Sequence, residues 1–470
     1  MMGCRVKPGN DERPEMPREI RLNAFDMNCV GHIAHGLWTH ARDQSSRFNE
    51  LQYWIEHAKK LEKGLFDGIF LADIVGVYDV YGGNADAALR GAVQVPVNDP
   101  TLIIPAMAAV TTNLCFGVTC NLTYEPPFLF ARRMSTLDHL TQGRIAWNIV
   151  TGYLDSAARA IGIEGQAAHD DRYDLADEYM SLVYKLWEGS WEDGAVRADR
   201  ASGIYTDPSK VHVIRHRGKQ YRMDAMHLTA PSPQRTPVLY QAGSSTRGRR
   251  FAATHAECVF VNSQEKAGAK AIVDDIRAQA VQLGRAAADV QVFLGTALVL
   301  GRTDKEAQDK FEDYRRYASS EAGLVHAAAS LGIDFAKYDL DEPVDTDKSQ
   351  AIVSNVEIVT RRSGPRWTRR MFLEQMSLGS RQRPLIGSVS KVADALIELC
   401  DETGVDGFNL ARTVVPECID DVIDLLVPLL QERGAYKTAY RAGTYRDKLF
   451  GRPRLPASHA AARYRAEPGS

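Results

Sequence analysis

The amino-acid sequence predicts an α/β chain folded as a (β/α)8 TIM barrel, with long insertions after strands 4 and 7 and a C-terminal extension. Three observations carry this. Eight short apolar runs alternate with helix-length amphipathic segments. The runs are continuously apolar, as parallel strands buried on both faces are. Polar residues gather at their C-terminal ends, where such a barrel builds its active site.

The elements follow in order. The first strand, residues 20–25, runs into Asp26-Met27-Asn28-Cys29. Residues 68–72 end in Asp73, 115–120 in Asn121, 144–150 in Thr151-Gly152-Tyr153, and 236–241 in Ala242-Gly243-Ser244-Ser245. Residues 258–261, 290–300 and 407–411 complete the set. Helices are expected over 49–64, 127–141, 172–188, 249–255, 265–283, 305–317, 389–403 and 419–433. Gly64, Gly143, Gly284, Gly404 and Gly434 lie just past helix ends, where a left-handed cap is wanted. The insertions cover about 152–235 and 320–387; connections of that length serve as lids or binding loops, or are mobile. One barrel domain is expected over 16–439, after a disordered leader at 1–15 with Met16 as the working start. The tail at 440–470 is rich in Arg, Pro and Ala without core periodicity, and either wraps a partner subunit or is disordered.

Composition narrows the partners. The 470 residues are 44% hydrophobic and 25% charged, with a formal net charge of -3. That balance gives no electrostatic case for nucleic acid. The longest apolar stretch, 102–110, contains Pro105 and is too short to span a membrane. Seven scattered cysteines without a CxxC pair argue against a disulfide framework and for a reducing, cytoplasmic setting. The arginine-rich run 361–370 reads first as a solvated face.

Several clusters suit chemistry. Asp73 is either an anchor for a cofactor or the N-cap of a following helix. In Gln241-Ala242-Gly243-Ser244-Ser245-Thr246-Arg247-Gly248, glycines let a backbone approach a phosphate, and hydroxyls and helix-start amides donate to it. The plain alternative is a Ser-capped turn. Tyr173 is a further donor or a core tyrosine. The stretch 29–40 offers Cys29, His32, His35, Trp38 and His40, and is a metal site, a pocket loop or a structural loop. Its spacing matches no zinc pattern, so no metal is expected. His326, taken alone, is a structural histidine. No GxGxxG follows a strand, and there is no GxxxxGK[ST] or GxSxG. The chain therefore looks built for a phosphorylated cofactor without a Rossmann nicotinamide site.

Longer motifs carry a family resemblance. They include LNAFDMNCVGHIAHGLW (22–38), FDGIFLADIVGVYDVY (66–81), QVPVNDP (94–100), ARRMSTLDHLTQGRIAWNIVT (131–151), HDDRYDLADEYMSLVYKLWEGSWED (169–193), SPQRTPVLYQAG (232–243) and DKLFGRPRLPASHAAARYR (447–465). With these the chain resembles the bacterial luciferase-like, FMN-dependent two-component monooxygenases. That group includes the nitrilotriacetate and dibenzothiophene-sulfone enzymes, and its long-chain alkane members, then its dimethyl-sulfide members, are nearest. The resemblance implies FMN, bound as FMNH2 from a separate NAD(P)H-dependent flavin reductase, with O2 as co-substrate. It implies oxygenation of a small apolar substrate through a C4a-peroxyflavin, foremost terminal hydroxylation of a long-chain alkane. Dimethyl sulfide or another organosulfur or xenobiotic substrate is the alternative. A deazaflavin-dependent dehydrogenase or a non-catalytic flavin-binding protein is more remote. A homodimer or homotetramer is implied as well.

Carried over by position, Asp73, Asn121, Thr151, Gly152, Tyr153, His169, Tyr173, Ala242, Gly243, Ser244 and Ser245 would contact FMN. Cys29, His32, Tyr78, Gln94, Tyr153 and His326 would line the reaction pocket, with Trp38, Phe128 and Phe130 available as walls. The alkane members carry histidine where this chain has Tyr153, whereas the dimethyl-sulfide members carry tyrosine. His326 matches the alkane members.

Overall fold

Eight parallel strands close on themselves in the computed structural model, which describes residues 18–243, 245–263, 265–344, 367–375, 378 and 384–465. They are β1 (Arg21–Met27), β2 (Gly68–Ala72), β3 (Cys115–Asn121), β4 (Ile145–Val150), β5 (Val238–Gln241), β6 (Cys258–Val261), β7 (Gln291–Gly301) and β8 (Gly407–Ala411). Each pairs with the next, and β8 pairs with β1, where Asn23 faces Asn409. All eight expected runs are strands of this barrel. A short extra strand, Leu385–Ser388, adds to the far end of β7 outside it.

The helices fall close to their expected positions because each has one apolar face to bury against the barrel. Leu51–Lys63, for example, buries Tyr53, Trp54, Ala58 and Leu61. Gly143, Gly284, Gly404 and Gly434 take positive φ, as expected of caps. Gly64 does not: its φ is -80°, and Leu65 at φ 57° makes the left-handed step instead. The helix expected from 172 starts earlier, at His169–Tyr184, with Asp170 and Asp171 in a first turn where carboxylates are favoured.

Inside the barrel the core is aromatic. Phe70, Tyr240, Phe260 and Phe293 pack together, and Phe25 packs against them. Gly117 on β3 makes room for Tyr240, whose ring would lie 2.3 Å from a Cβ placed there. The N-terminal end of the barrel is closed by the helix Tyr445–Phe450, which adds buried Tyr445 and Leu449 to this core. Thr444 and Asp447 form a capping box at its start, and Gly451 at φ 68° ends it. The stretch after Tyr440 thus lacks a core period, yet residues 440–465 are folded onto the barrel. Arg446, without exposed surface, pairs with Glu257 at 2.7 Å.

The first insertion holds the helices Asp155–Ala160 and His169–Tyr184 and two antiparallel hairpins, Val196–Asp199 with Ile204–Thr206 and Ile214–Arg217 with Arg222–Ala225. The second holds a helix the periodicity does not predict, Ser320–Leu331, buried from Ala322 onward. Residues 1–15, Ser244 and residues 361–366 of the arginine-rich run lie outside the described residues. Within that run, Arg369 bonds to Tyr338 and Tyr81, and Arg370 pairs with Asp341 at 2.7 Å. Among the described residues no helix is long and apolar enough to cross a membrane.

Candidate active site

A cavity of about 180 Å³ opens at the C-terminal mouth of the barrel. Its apolar wall is Phe25, Phe70, Phe260, Ile33, Ala34 and Ala297. The expected walls are elsewhere. Phe130 packs against Trp147 between barrel and helix, Phe128 packs against the same core, and Trp38 is 38% exposed.

The polar side of the cavity is formed by His32, Asp73, Tyr78, Gln94, Tyr153 and His326. The Tyr78 hydroxyl donates to Gln94 Oε1 and lies 3.3 Å from the Tyr153 hydroxyl. The Tyr78 ring stacks on His326, with centroids 5.2 Å apart. His326 Nδ1 is 3.0 Å from Nε2 of His35, so the buried helix of the second insertion and the loop after β1 meet here. Gln94 is held at φ 54°, with its amide donating to the Gly31 carbonyl at 3.1 Å. A non-glycine residue in that region stores strain, a common mark of a functional position.

Cys29 is not part of this wall. It is wholly buried beneath the loop, and burial pushes its thiol up to about 12, which keeps it protonated and unreactive at neutral pH. Its carbonyl and that of Val30 accept from Arg412, which also pairs with Asp26 at 3.2 Å. This buried cation ties the loop carrying His32 to β8. The histidines of 29–40 diverge: His35 meets His326, His40 meets Asp313 at 3.0 Å, and His32 lies edge-on to Phe25. No group of three metal-binding side chains is present among the described residues.

Asp73 ends β2 and begins no helix, which removes the N-cap alternative. Burial, and then the charge of Asp99, push its carboxyl up to about 8. Beside it, β3 and β4 deliver Asn121, Thr151 and Gly152. Gly152 has φ +74°, and a Cβ there would lie 2.6 Å from Asn121 Nδ2 and 2.8 Å from Tyr124 Oη. The carbonyl of Thr151 accepts from Thr123 at 2.8 Å.

The loop after β5 faces the first insertion. Ser245 caps the helix Thr246–His255 by accepting from the Gly248 amide at 3.0 Å, so the capped-turn reading holds. The same hydroxyl is 3.4 Å from His169 Nε2. The Tyr173 hydroxyl sits against the loop, 3.1 and 2.9 Å from Cβ positions on Gly243 and Gly248, with the Arg247 guanidinium over its ring. Ala242 lines the cavity itself. Two helix starts, two glycines and three side-chain donors therefore converge beside the mouth, a suitable cradle for a phosphate.

A family model for luciferase-like monooxygenases matches residues 29–407. The chain belongs to that family. It is 50% identical over 452 residues to a long-chain alkane monooxygenase of Geobacillus thermodenitrificans, covering 96% of this chain and 99% of the relative. It is 48% identical to a dimethyl-sulfide monooxygenase of Hyphomicrobium sulfonivorans, covering 96% and 94%. The crystal structure of a riboflavin lyase with modified FMN and riboflavin superposes with a TM-score of 0.91 at 36% identity, covering 96% of this chain and all of that one. The chain is thus an oxidoreductase of the luciferase-like monooxygenases, on their barrel.

In this luciferase-like monooxygenase several cavity residues escape a reading by strand ends. Asn148 and Asn409 lie inside β4 and β8 and line the cavity, and the Oδ1 of each accepts no hydrogen bond among the described residues. An Asn within an apolar run, as in Ile145-Ala146-Trp147-Asn148-Ile149-Val150, is the signal that marks them. Phe25 and Phe260 carry no such signal, since only the barrel's closure brings them to the mouth.

Proposed function

We propose that this chain is the oxygenase of a two-component system. It takes FMN reduced by a separate NAD(P)H-dependent reductase and, with O2, oxygenates a small apolar acceptor, in the first reading the terminal carbon of a long-chain alkane. The observation that carries this is the junction of an aromatic-walled cavity, bearing Tyr78, Gln94, Tyr153 and His326 on one side, with the phosphate-type cradle at Gly243 and Ser245.

The residues present fit FMN. The unpaired Oδ1 atoms of Asn148 and Asn409 are acceptors for a polar ring edge. Gly152 leaves a space a side chain would fill. Asp73, Asn121, Thr151, Gly152 and Tyr153 would hold the ring and its chain, and His169, Tyr173 and the Ala242-to-Ser245 loop its phosphate. Reduced FMN supplies the electrons that split O2, one oxygen entering the acceptor and the other leaving as water. Phe25, Phe70 and Phe260 exclude water from that step. Tyr78, bonded to Gln94 and near Tyr153, provides a hydroxyl chain along which a proton can move, and His32 and His326 provide imidazoles for it.

Dimethyl sulfide, or another small organosulfur compound, is the second reading, favoured by Tyr153 and by the modest volume of the cavity. A cytoplasmic setting accords with the six cysteines among the described residues, all buried and unpaired. The test is product analysis by gas chromatography with a flavin reductase, NADH, FMN and O2, offering hexadecane and dimethyl sulfide separately. A primary alcohol supports the first reading, and methanethiol with formaldehyde the second. Release of peroxide without product from either overturns both named substrates, leaves the oxygenase reading standing and sends the search to other sulfur, amine or xenobiotic acceptors.

A further inference from the structure

Two imidazoles meet at the back wall of the cavity at the barrel mouth. His326 lines that wall, and His35 stands behind it. Both are buried, at 4% and 1% exposure. His35 Nε2 lies 3.0 Å from His326 Nδ1, with the ring planes at 83°. Two ring nitrogens bond at that distance only with one proton between them, one nitrogen donating and the other accepting.

The backbone holds the two rings together. Gly36, next to His35, has φ +91°, and a Cβ there would lie 2.4 Å from the Tyr317 carbonyl and 2.6 Å from the Ser319 amide. That amide donates to the His35 carbonyl at 2.9 Å. The loop after β1 is thus pressed, at a position that glycine suits, onto the start of the helix Ser320–Leu331 that carries His326. On the His326 ring itself, Tyr78 stacks at an interplanar angle of 11°. Stacking sets the plane of a ring but not which edge leads, because a half-turn of the side chain keeps the plane and exchanges the edges. The nitrogen contact with His35 sets the edge.

We propose that His35 is a positioning residue for His326: the proton shared between the rings commits Nδ1 of His326 and makes Nε2 the nitrogen through which it gives or takes a proton at the cavity. Which nitrogen of a histidine is protonated is set by the bond that the other one makes. A ring that could turn or change tautomer would present the needed nitrogen only part of the time, and more O2 would then leave as hydrogen peroxide. The consequence for turnover rests on the oxygenase reading above; the shared proton does not.

The test has two readouts on the full chain. A buried, hydrogen-bonded ring N–H gives a proton resonance downfield of the amides. The wild type is expected to show one that is lost in both His35→Leu and His326→Leu. The signal of His40, bonded to Asp313 at 3.0 Å, should stay and report that the chain is folded. Downfield signals identical in the wild type and His35→Leu overturn the shared proton. The second readout is product per NADH with the acceptor that the wild type oxygenates. His35→Leu is expected to lower it about 3- to 10-fold, as loss of one neutral hydrogen bond does, and to raise peroxide. His35→Gln, whose amide can take either side of the bond, should stay within about twofold of the wild type. In a His326→Leu background, adding His35→Leu should lower it no further. An equal fall in both backgrounds, or no rescue by glutamine, overturns the positioning role. A wild type that oxygenates neither hexadecane nor dimethyl sulfide bears on the substrate and not on the pair, and the resonance then decides alone. If His35→Leu does not fold, His35→Gln replaces it in the spectra: an amide in place of the ring must shift the shared resonance, and an unmoved signal overturns the proposal.

Discussion

Replacing Arg446 by Met should be among the most damaging single changes in the protein, although it lies at the end of the barrel away from the site. The side chain has no exposed surface and bonds Glu257 twice, at 2.7 and 2.9 Å. It also donates to the carbonyls of Thr236 at 2.9 Å and of Gln234 and Pro453 at 3.3 Å. Methionine fills much of the volume, so the loss is electrostatic. Glu257 is 1% exposed and would be a buried carboxylate stripped of its ion-pair partner, which costs about 3–5 kcal/mol. Removing both charges together, as Arg446→Met with Glu257→Leu, should recover most of this. The residual loss should be about 1–3 kcal/mol for the stranded carbonyls and for the Leu239 amide that Glu257 accepts at 3.1 Å. Urea unfolding of the wild type, both single variants and the double variant measures the coupling between the two sites. A single variant that loses less than about 1 kcal/mol, or a double variant as unstable as the sum of the singles, would refute the reasoning.

Three further outcomes are expected. Asp73 is held up to about 8 in the folded protein against an ordinary value of 3.8. The folded state therefore holds a proton the unfolded chain has released, and stability should fall as pH rises from about 4 to 8, by at most about 1.4 kcal/mol per unit. Asp73→Asn should flatten that slope in urea midpoints taken across the window, and an unchanged slope would remove Asp73 as its cause. Gly152→Ala places a side chain at φ +74° against Asn121 and Tyr124; the left-handed backbone alone costs about 1–2 kcal/mol. Its FMN affinity, read by fluorescence, should drop more than its urea midpoint shifts. Tyr78→Phe strands Gln94 and breaks the hydroxyl contact with Tyr153. Product per NADH should fall while peroxide rises, and unchanged coupling would take Tyr78 out of the proton path.

What the chain's linear order determined by itself is the barrel and the floor of its site. Short continuous apolar runs alternating with amphipathic helices suit strands buried on both faces, and the polar residues at their ends then gather at the mouth. Asp73, Tyr153 and Ala242 are there for that reason. The tertiary structure decided the rest, wherever a residue's role depends on what folds over it. The helix Ser320–Leu331 is apolar on every side, so it has no period to read, yet it brings His326 onto Tyr78 and His35. Cys29 sits in a motif that points to the pocket, but Arg412 ties its carbonyl into the floor and buries the thiol. Gln94 is in place through a left-handed backbone that no residue type announces. Periodicity records which face of an element is buried; which buried groups lack a partner is settled only when distant segments meet.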